Sequence, residues 1–334
     1  MCGIAGVRRF GDTPITGEEI VLLLCLIEHR GLHASGIALE NPDGLHVYKA
    51  AEPAWKFTKS KPFNDFLNEF LIPETRTAML HTRWATKGSP EDNDNNHPMF
   101  DGETAAIHNG MISNDTWLFS SGKYERSCET DSDIIRAIVS EHGMNEKGIR
   151  ELNKMTGSAA IAVLSTKYPD KFLLARSGSP CYYGVTDDQA KLYWASEPEA
   201  IIKASKPFKK VRGLWVQDTR ANVAVGCMQD NTAWLFGPEG LELHHEFNTC
   251  RYYNKPDYSK GRENYHEKKK GWKNEQKRLA KKKSDDVVTD RKEADNSAYL
   301  KNSVAKCTAC GQGCVNLEGK PWDTIMCSCG QRLG

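Results

Sequence analysis

The sequence opens Met1-Cys2-Gly3-Ile4-Ala5-Gly6, and the residue there that can do chemistry is Cys2. An initiator methionine is trimmed where the second residue is small, and its removal leaves Cys2 with a free α-amino group beside its own thiol. An α-amine titrates near 7.7–8.0, far below lysine at about 10.4, so at neutrality it is largely unprotonated and can accept the thiol proton. Activation of a thiol or hydroxyl by the chain's own terminal amine is a recognised form of nucleophilic catalysis. Chance also supplies a cysteine in second place, so Cys2 needs companions.

Three later stretches offer them. Arg83 follows the apolar run in Ala78-Met79-Leu80-His81-Thr82-Arg83-Trp84-Ala85-Thr86. A guanidinium where a buried strand opens offers a planar fork for a carboxylate; the plainer alternative is a surface ion pair. Asn109-Gly110 interrupts the strand-like run 104–112. That dipeptide ordinarily marks a tight hairpin turn. Its functional reading is an oxyanion hole, with the Asn109 amide and the Gly110 N–H donating toward one point. Asp131, in Glu129-Thr130-Asp131-Ser132-Asp133, precedes the periodic Ile134, Ile135, Ile138 and Val139. Asp131 or Asp133 there caps or complements a helix N-terminus, or Asp131 holds a substrate ammonium.

The elements that must position these residues are partly legible. Thr16 and Glu19 form a capping box before the apolar run 20–27, which predicts a helix ending near Gly31. Asn41-Pro42-Asp43-Gly44 predicts a turn between strands 35–40 and 45–49. A second helix over 61–71 puts Phe63, Phe66, Leu67 and Phe70 on one face. The loop 87–96, rich in Gly, Pro, Asn and Asp, is long enough to border or cover a site. Short strands come next at 159–165, 172–176, 181–185 and 191–195, with a helix at 197–203 and β-rich chain to about residue 247. Regular βαβ alternation and a GxGxxG phosphate loop are both missing.

With 334 residues and 39% hydrophobic content, the chain has room for one large domain and an appendage. Its net charge of +1 hides a segregation into −7 over 1–250, +8 over 251–306 and zero over 307–334. Without a long apolar run or a charged leader, the expected protein is soluble and cytoplasmic, with no membrane partner. Of 11 cysteines, five crowd into 307–329, which in an unexported protein favours metal ligation over disulfides. Cys307-x2-Cys310-x3-Cys314 and Cys327-x-Cys329 look like a zinc-ribbon module. Cys307, Cys310, Cys327 and Cys329 are the expected ligands of a structural zinc (Zn), with Cys314 as a substitute. Between body and ribbon, Lys268–Lys270 and Lys281–Lys283 are interleaved with Tyr252, Tyr253, Tyr258, Tyr265 and Trp272. This reads as a solvated, partly helical linker or as a nucleic-acid contact through phosphates and stacking.

Taken in order, the motifs resemble the class II glutamine amidotransferases, N-terminal-nucleophile enzymes, and in particular the glutaminase domain of glucosamine-6-phosphate synthase. The resemblance runs over about 2–205: Cys-Gly-Ile-Ala-Gly at 2–6, Arg-Gly at 30–31, Ser-Gly at 35–36, His-Thr-Arg-Trp-Ala-Thr at 81–86 and Asn-His-Pro at 96–98. It continues with His-Asn-Gly at 108–110, Glu-Thr-Asp-Ser at 129–132, Ala-Arg-Ser-Gly-Ser-Pro at 175–180 and Ala-Ser-Glu at 195–197. It implies a four-layer αββα sandwich of the α+β class over 2–250, ahead of the linker at 251–306 and the Cys cluster at 307–334. It also implies that Cys2 forms a γ-glutamyl thioester with glutamine, that Asn109 and Gly110 hold the oxyanion, and that Arg83 and Asp131 hold the α-carboxylate and α-ammonium. Trp84 and Thr86 are expected in the same pocket. Lys87 departs from the histidine of the relative's Thr-His-Gly run. The family's synthase domains are too large for residues 251–334, so the expected acceptor of the ammonia is a separate synthase. Two rival readings stay open: an N-terminal-nucleophile amidohydrolase acting on another amide, and a non-catalytic nucleic-acid-binding scaffold.

Overall fold

The computed structural model describes residues 1–206, 208–211, 214–217, 223–247, 303–306 and 313–316. The chain divides into two compact units, one of Met1–Pro207 with Thr219–Tyr252 and one of Phe208–Asp218 with Tyr253–Gly334.

In the first unit, β1 (Gly3–Arg9) leads to α1 (Gly17–Ile27), the hairpin of β2 (Ala34–Asn41) and β3 (Gly44–Ala50), α2 (Ala54–Phe57), α3 (Lys61–Phe70) and β4 (Thr77–Arg83). Then come β5 (Met99–Phe100), β6 (Thr104–Ile112), α4 (Asp115–Ser120), α5 (Asp133–His142) and α6 (Glu146–Leu152). Next in the chain are β7 (Gly157–Ser165), β8 (Phe172–Ser177), β9 (Tyr182–Thr186), β10 (Lys191–Ala195) and α7 (Pro198–Ala204). The second unit contributes β11 (Phe208–Val211) and β12 (Leu214–Gln217), after which β13 (Val223–Cys227), β14 (Thr232–Gly237) and β15 (Gly240–Glu246) return to the first.

Two sheets result, a seven-stranded one in the order β13-β9-β10-β1-β4-β2-β3 and a six-stranded one in the order β15-β14-β8-β7-β6-β5. Three apolar clusters make the layering. Ile20, Leu23, Leu24 and Ile27 of α1 recur at helical spacing and bury against Val7, Leu39 and Tyr193 of the first sheet. Ile134, Ile135 and Ile138 of α5 do the same against Ile161, Val163 and Leu235 of the second. Between the sheets lie Ile4, Met79, Ile107, Ala162, Phe172 and Trp194. Helix, sheet, sheet, helix is the αββα order that the family resemblance implies.

The capping signal read at the start of α1 is present. Thr16 Oγ1 accepts the Glu19 N–H at 3.3 Å and the Glu19 carboxylate accepts the Thr16 N–H at 2.8 Å, which closes the capping box of α1. Gly6 is forced by its neighbours: a Cβ there would stand 2.1 Å from the buried Trp194 ring and 2.5 Å from the Ala78 carbonyl oxygen. β1 can therefore occupy the centre of its sheet, between β10 and β4, only as the glycine-rich strand it is.

In the second unit β11 pairs antiparallel with β12, and β16 (Ser303–Lys306) with β17 (Gly313–Asn316), Val304 opposite Val315. Apart from β16, the expected linker lies outside the described residues, as do the expected zinc ligands Cys307, Cys310, Cys327 and Cys329; Cys314 falls on β17. Among the described residues no His, Cys, Asp and Glu group could hold a metal, and no helix is long and apolar enough to cross a membrane.

Candidate active site

Cys2 stands one residue before β1, where the register Gly3 opposite Thr82 brings it beside the end of β4. Its Sγ accepts the Trp84 N–H at 3.4 Å and lies 3.6 Å from the Trp84 carbonyl oxygen. The Cys2 carbonyl accepts from Arg30 Nε at 2.9 Å, and the Arg30 guanidinium pairs with Glu197. Burial pushes the Cys2 thiol above its usual range, against the opposing pull of the Trp84 N–H and the Arg83 charge. Cys2 thus rests as a thiol, which would need a base before it could attack.

Asn109-Gly110 is not a hairpin turn. Both residues continue β6, Asn109 opposite Ala160 and Gly110 opposite Ala159, because β7 carries the ladder straight past them. Gly110 has φ +152°, and a Cβ there would fall 1.9 Å from the Ser158 carbonyl oxygen, so only glycine keeps the strand on course. Asn109 is buried, and its Nδ2 donates to Ser196 Oγ at 3.3 Å. The same hydroxyl accepts the Ile4 N–H at 3.1 Å, and the Ser196 N–H donates to the Ile4 carbonyl at 2.8 Å. Ser196 therefore ties the Asn109 amide to β1, two residues from Cys2. Asn109 Oδ1 is buried without a hydrogen-bond partner.

Arg83 is 3% exposed, so a surface ion pair is excluded. Its guanidinium donates to the Lys87 and Gly88 carbonyls at 2.7 and 2.9 Å and to Asn96 Oδ1 at 2.9 Å. Three of five N–H donors are used on the 87–96 loop, which leaves two for a carboxylate. Asp131 does not cap α5, whereas Asp133 sits in its first turn, where an acidic residue complements the helix dipole. The Asp131 carboxylate accepts the Ile112 N–H at the end of β6 at 2.6 Å, while Asp133 binds Ser127 and Arg136. Cys2, Arg83 and Asp131 lie close enough for their charges to act on one another. Trp84 is 38% exposed beside Cys2 and stacks on His33, whose Nδ1 accepts the Ala85 N–H at 2.9 Å. Thr86 is exposed on the turn just beyond.

Behind the site three histidines are buried. His97 Nδ1 lies 2.6 Å from His81 Nε2, His81 Nε2 lies 3.0 Å from the His108 carbonyl oxygen, and His108 Nδ1 lies 2.9 Å from Ser132 Oγ. Burial lowers all three below the ordinary 6.5, His81 to about 3. The unfolded chain binds these protons first, so stability is whole above pH 6.5 and falls as pH drops toward the folded values. Each histidine then removes up to about 1.4 kcal/mol per pH unit. The denaturant midpoint is expected to decline between about pH 6.5 and 4.5, above the carboxylate range. A flat midpoint there would contradict a neutral trio.

The residues that sequence reading left without a role are Arg30, His33, Ser196 and the histidines. All but His33 lie in the quoted motifs; their partners are 16 to 192 positions away, where periodicity carries no signal.

Residues 81–203 match the family model described as the glutamine amidotransferase domain. The glutamine–fructose-6-phosphate aminotransferase (isomerizing) of Clostridium acetobutylicum is 31% identical over 214 residues, covering 62% of this chain and 33% of that protein. The Thermococcus kodakarensis enzyme of the same name is 33% identical over 214 residues, covering 61% and 33%. The chain thus spans about one third of the length of these relatives. Among solved structures, a glutamine phosphoribosylpyrophosphate amidotransferase from B. subtilis, complexed with ADP and GMP, superposes with TM-score 0.55 at 17% identity over 75% of this chain and 50% of that one. A structure described as the allosteric regulatory enzyme of purine biosynthesis gives 0.57 at 16% identity, with the same coverages. At that identity the likeness speaks for the fold. The family match over 81–203, the aligned relatives and the αββα sandwich agree with one another, and all mark this chain as similar to the glutamine amidotransferases.

Proposed function

We propose that this chain hydrolyses free glutamine to glutamate and ammonia. Once Met1 is removed, the Cys2 α-amine takes the thiol proton as sulfur attacks the side-chain amide carbon. The amine passes that proton to the departing nitrogen, ammonia leaves, and water cleaves the γ-glutamyl thioester. Asn109 and the Gly110 N–H stabilise the oxyanion, Arg83 holds the α-carboxylate, Asp131 the α-ammonium, and Trp84 and Thr86 line the pocket. The observation that supports this most is that the Arg83 and Asp131 charges both act on the Cys2 thiol while Ser196 tethers Asn109 to Ile4, two residues along the chain from Cys2. A cation and an anion for the two ends of an amino acid favour free glutamine over a general amide. Glutamate and ammonia should therefore appear in equal amounts from glutamine and not from a glutaminyl peptide; equal turnover of the peptide would sink the assignment.

The ammonia, in this reading, passes to an ammonia-accepting synthase, in keeping with the aminotransferases to which the chain is similar. For the cysteine cluster at 307–329 we propose a structural zinc on Cys307, Cys310, Cys327 and Cys329, supported by the donor set and spacing. Metal analysis of the intact chain should find stoichiometric zinc; a zinc-free protein would end the proposal. The lysine-rich stretch before it supports a contact with nucleic acid. Such a contact predicts salt-sensitive gel shifts that are lost without residues 251–334.

A further inference from the structure

Lys87, the residue that departs from the family's loop, has a partner that links the two ends of the pocket. Asp115 opens α4 and is 4% exposed. Its Oδ2 accepts from Lys87 Nζ at 2.6 Å and from Arg126 NH2 at 2.6 Å. On one side, the Lys87 carbonyl is held by Arg83 at 2.7 Å. On the other, Arg126 NH1 reaches the carbonyls of Cys128, Glu129 and Thr130 at 3.4, 3.3 and 3.5 Å, immediately before Asp131. The Arg126 guanidinium lies over the Phe119 ring at 4.1 Å, which fixes its plane from within the same helix. Asn95 and Glu129 make a second tie between the two segments: Asn95 Oδ1 accepts the Glu129 N–H at 2.9 Å, and Asn95 Nδ2 donates to Glu129 at 3.2 Å.

We propose that Asp115 is a positioning residue for glutamine: by holding Lys87 and Arg126 together it sets the spacing between Arg83 and Asp131. It thereby selects an amide that carries both an α-carboxylate and an α-ammonium. This rests on the glutaminase reading above. The physics is that of a buried anion between two cations. Burial raises the Asp115 carboxyl, but the Lys87 and Arg126 bonds outweigh it and hold the group below its ordinary range. Without that charge the two cations have no reason to stay together, and mutual repulsion parts the 87–96 loop from the 126–131 segment. Neither cation needs to touch substrate for this to act.

The test compares wild type, Asp115→Asn and Lys87→Met with glutamine and with 4-carbamoylbutanoate, an amide that has the carboxylate but no α-ammonium. Asp115→Asn keeps the shape and removes the charge. KM for glutamine should rise about tenfold and kcat stay within about twofold, the pattern of lost ground-state positioning. The preference for glutamine over the truncated amide should shrink by the same factor. Lys87 is half exposed, so Lys87→Met leaves the core intact; it should show the same split, smaller, even if Asp115→Asn fails to fold. Unchanged KM and preference in both variants would overturn the inference while leaving the glutaminase intact. So would a parallel loss of kcat and thermal stability, the mark of a merely structural role. No glutamine turnover by wild type would overturn the glutaminase reading and this inference with it.

Discussion

Replacing Cys2 by alanine is expected to abolish glutamate release while leaving the fold and glutamine binding in place. The thiol makes two long contacts, with the Trp84 N–H at 3.4 Å and the Trp84 carbonyl oxygen at 3.6 Å, so little stability is attached to it. Among the described residues, burial pushes the Cys128 thiol up and raises Cys181 to about 12, so neither is poised to take over the attack. Removing the nucleophile of a concerted catalytic group costs on the order of 10⁶ in kcat in a serine protease. A loss of about 10⁴ or more is the result expected here. Calorimetric titration with glutamine should still detect binding through Arg83 and Asp131. Residual turnover within tenfold of wild type would mean that another group carries the reaction.

Asn109→Ala should separate activity from stability. Removing one oxyanion donor raises the barrier by about 2.7–4 kcal/mol, a fall in kcat of roughly 10²–10³ with little change in KM. Truncating a buried polar side chain is ordinarily destabilising. Here the Oδ1 atom is buried without a partner, and the Nδ2 bond to Ser196 is long at 3.3 Å. Deleting an unsatisfied acceptor relieves its desolvation penalty, so the variant should unfold no earlier than wild type. Kinetics and denaturant unfolding on one preparation check both halves. A variant that loses stability and activity together would place Asn109 among the structural residues.

The same physics explains which parts of the molecule were legible in the sequence. β6 was readable at Thr104–Ile112, and α1 from its Thr16–Glu19 box, because strand alternation and capping are written within a few residues. α4 and α6 gave no usable signal: at six and seven residues they hold too few turns for a periodic pattern. The turn reading of Asn109-Gly110 in isolation loses to the ladder with β7, a tertiary fact. Asp131 stood where a helix cap belongs, but its carboxylate went to the backbone of β6, while Asp133 took its place in the first turn of α5. Ser196 and Asp115 were the hardest to read, since each acts through a partner far along the chain, 87 residues away for Asn109 and 28 for Lys87.

The central claim is that the α-amine of Cys2 itself drives the attack, and it can be measured directly. Two proteins would be prepared: one whose intact mass shows Met1 removed, and one with a single alanine inserted before Cys2, so that the thiol is kept while its amine becomes an amide. Equal thiol titres would confirm that both carry an accessible Cys2. The account predicts glutamate release from glutamine by the first protein and none above background by the second. Equal release by both would contradict it, since a nucleophile working without its own terminal amine is not an N-terminal nucleophile.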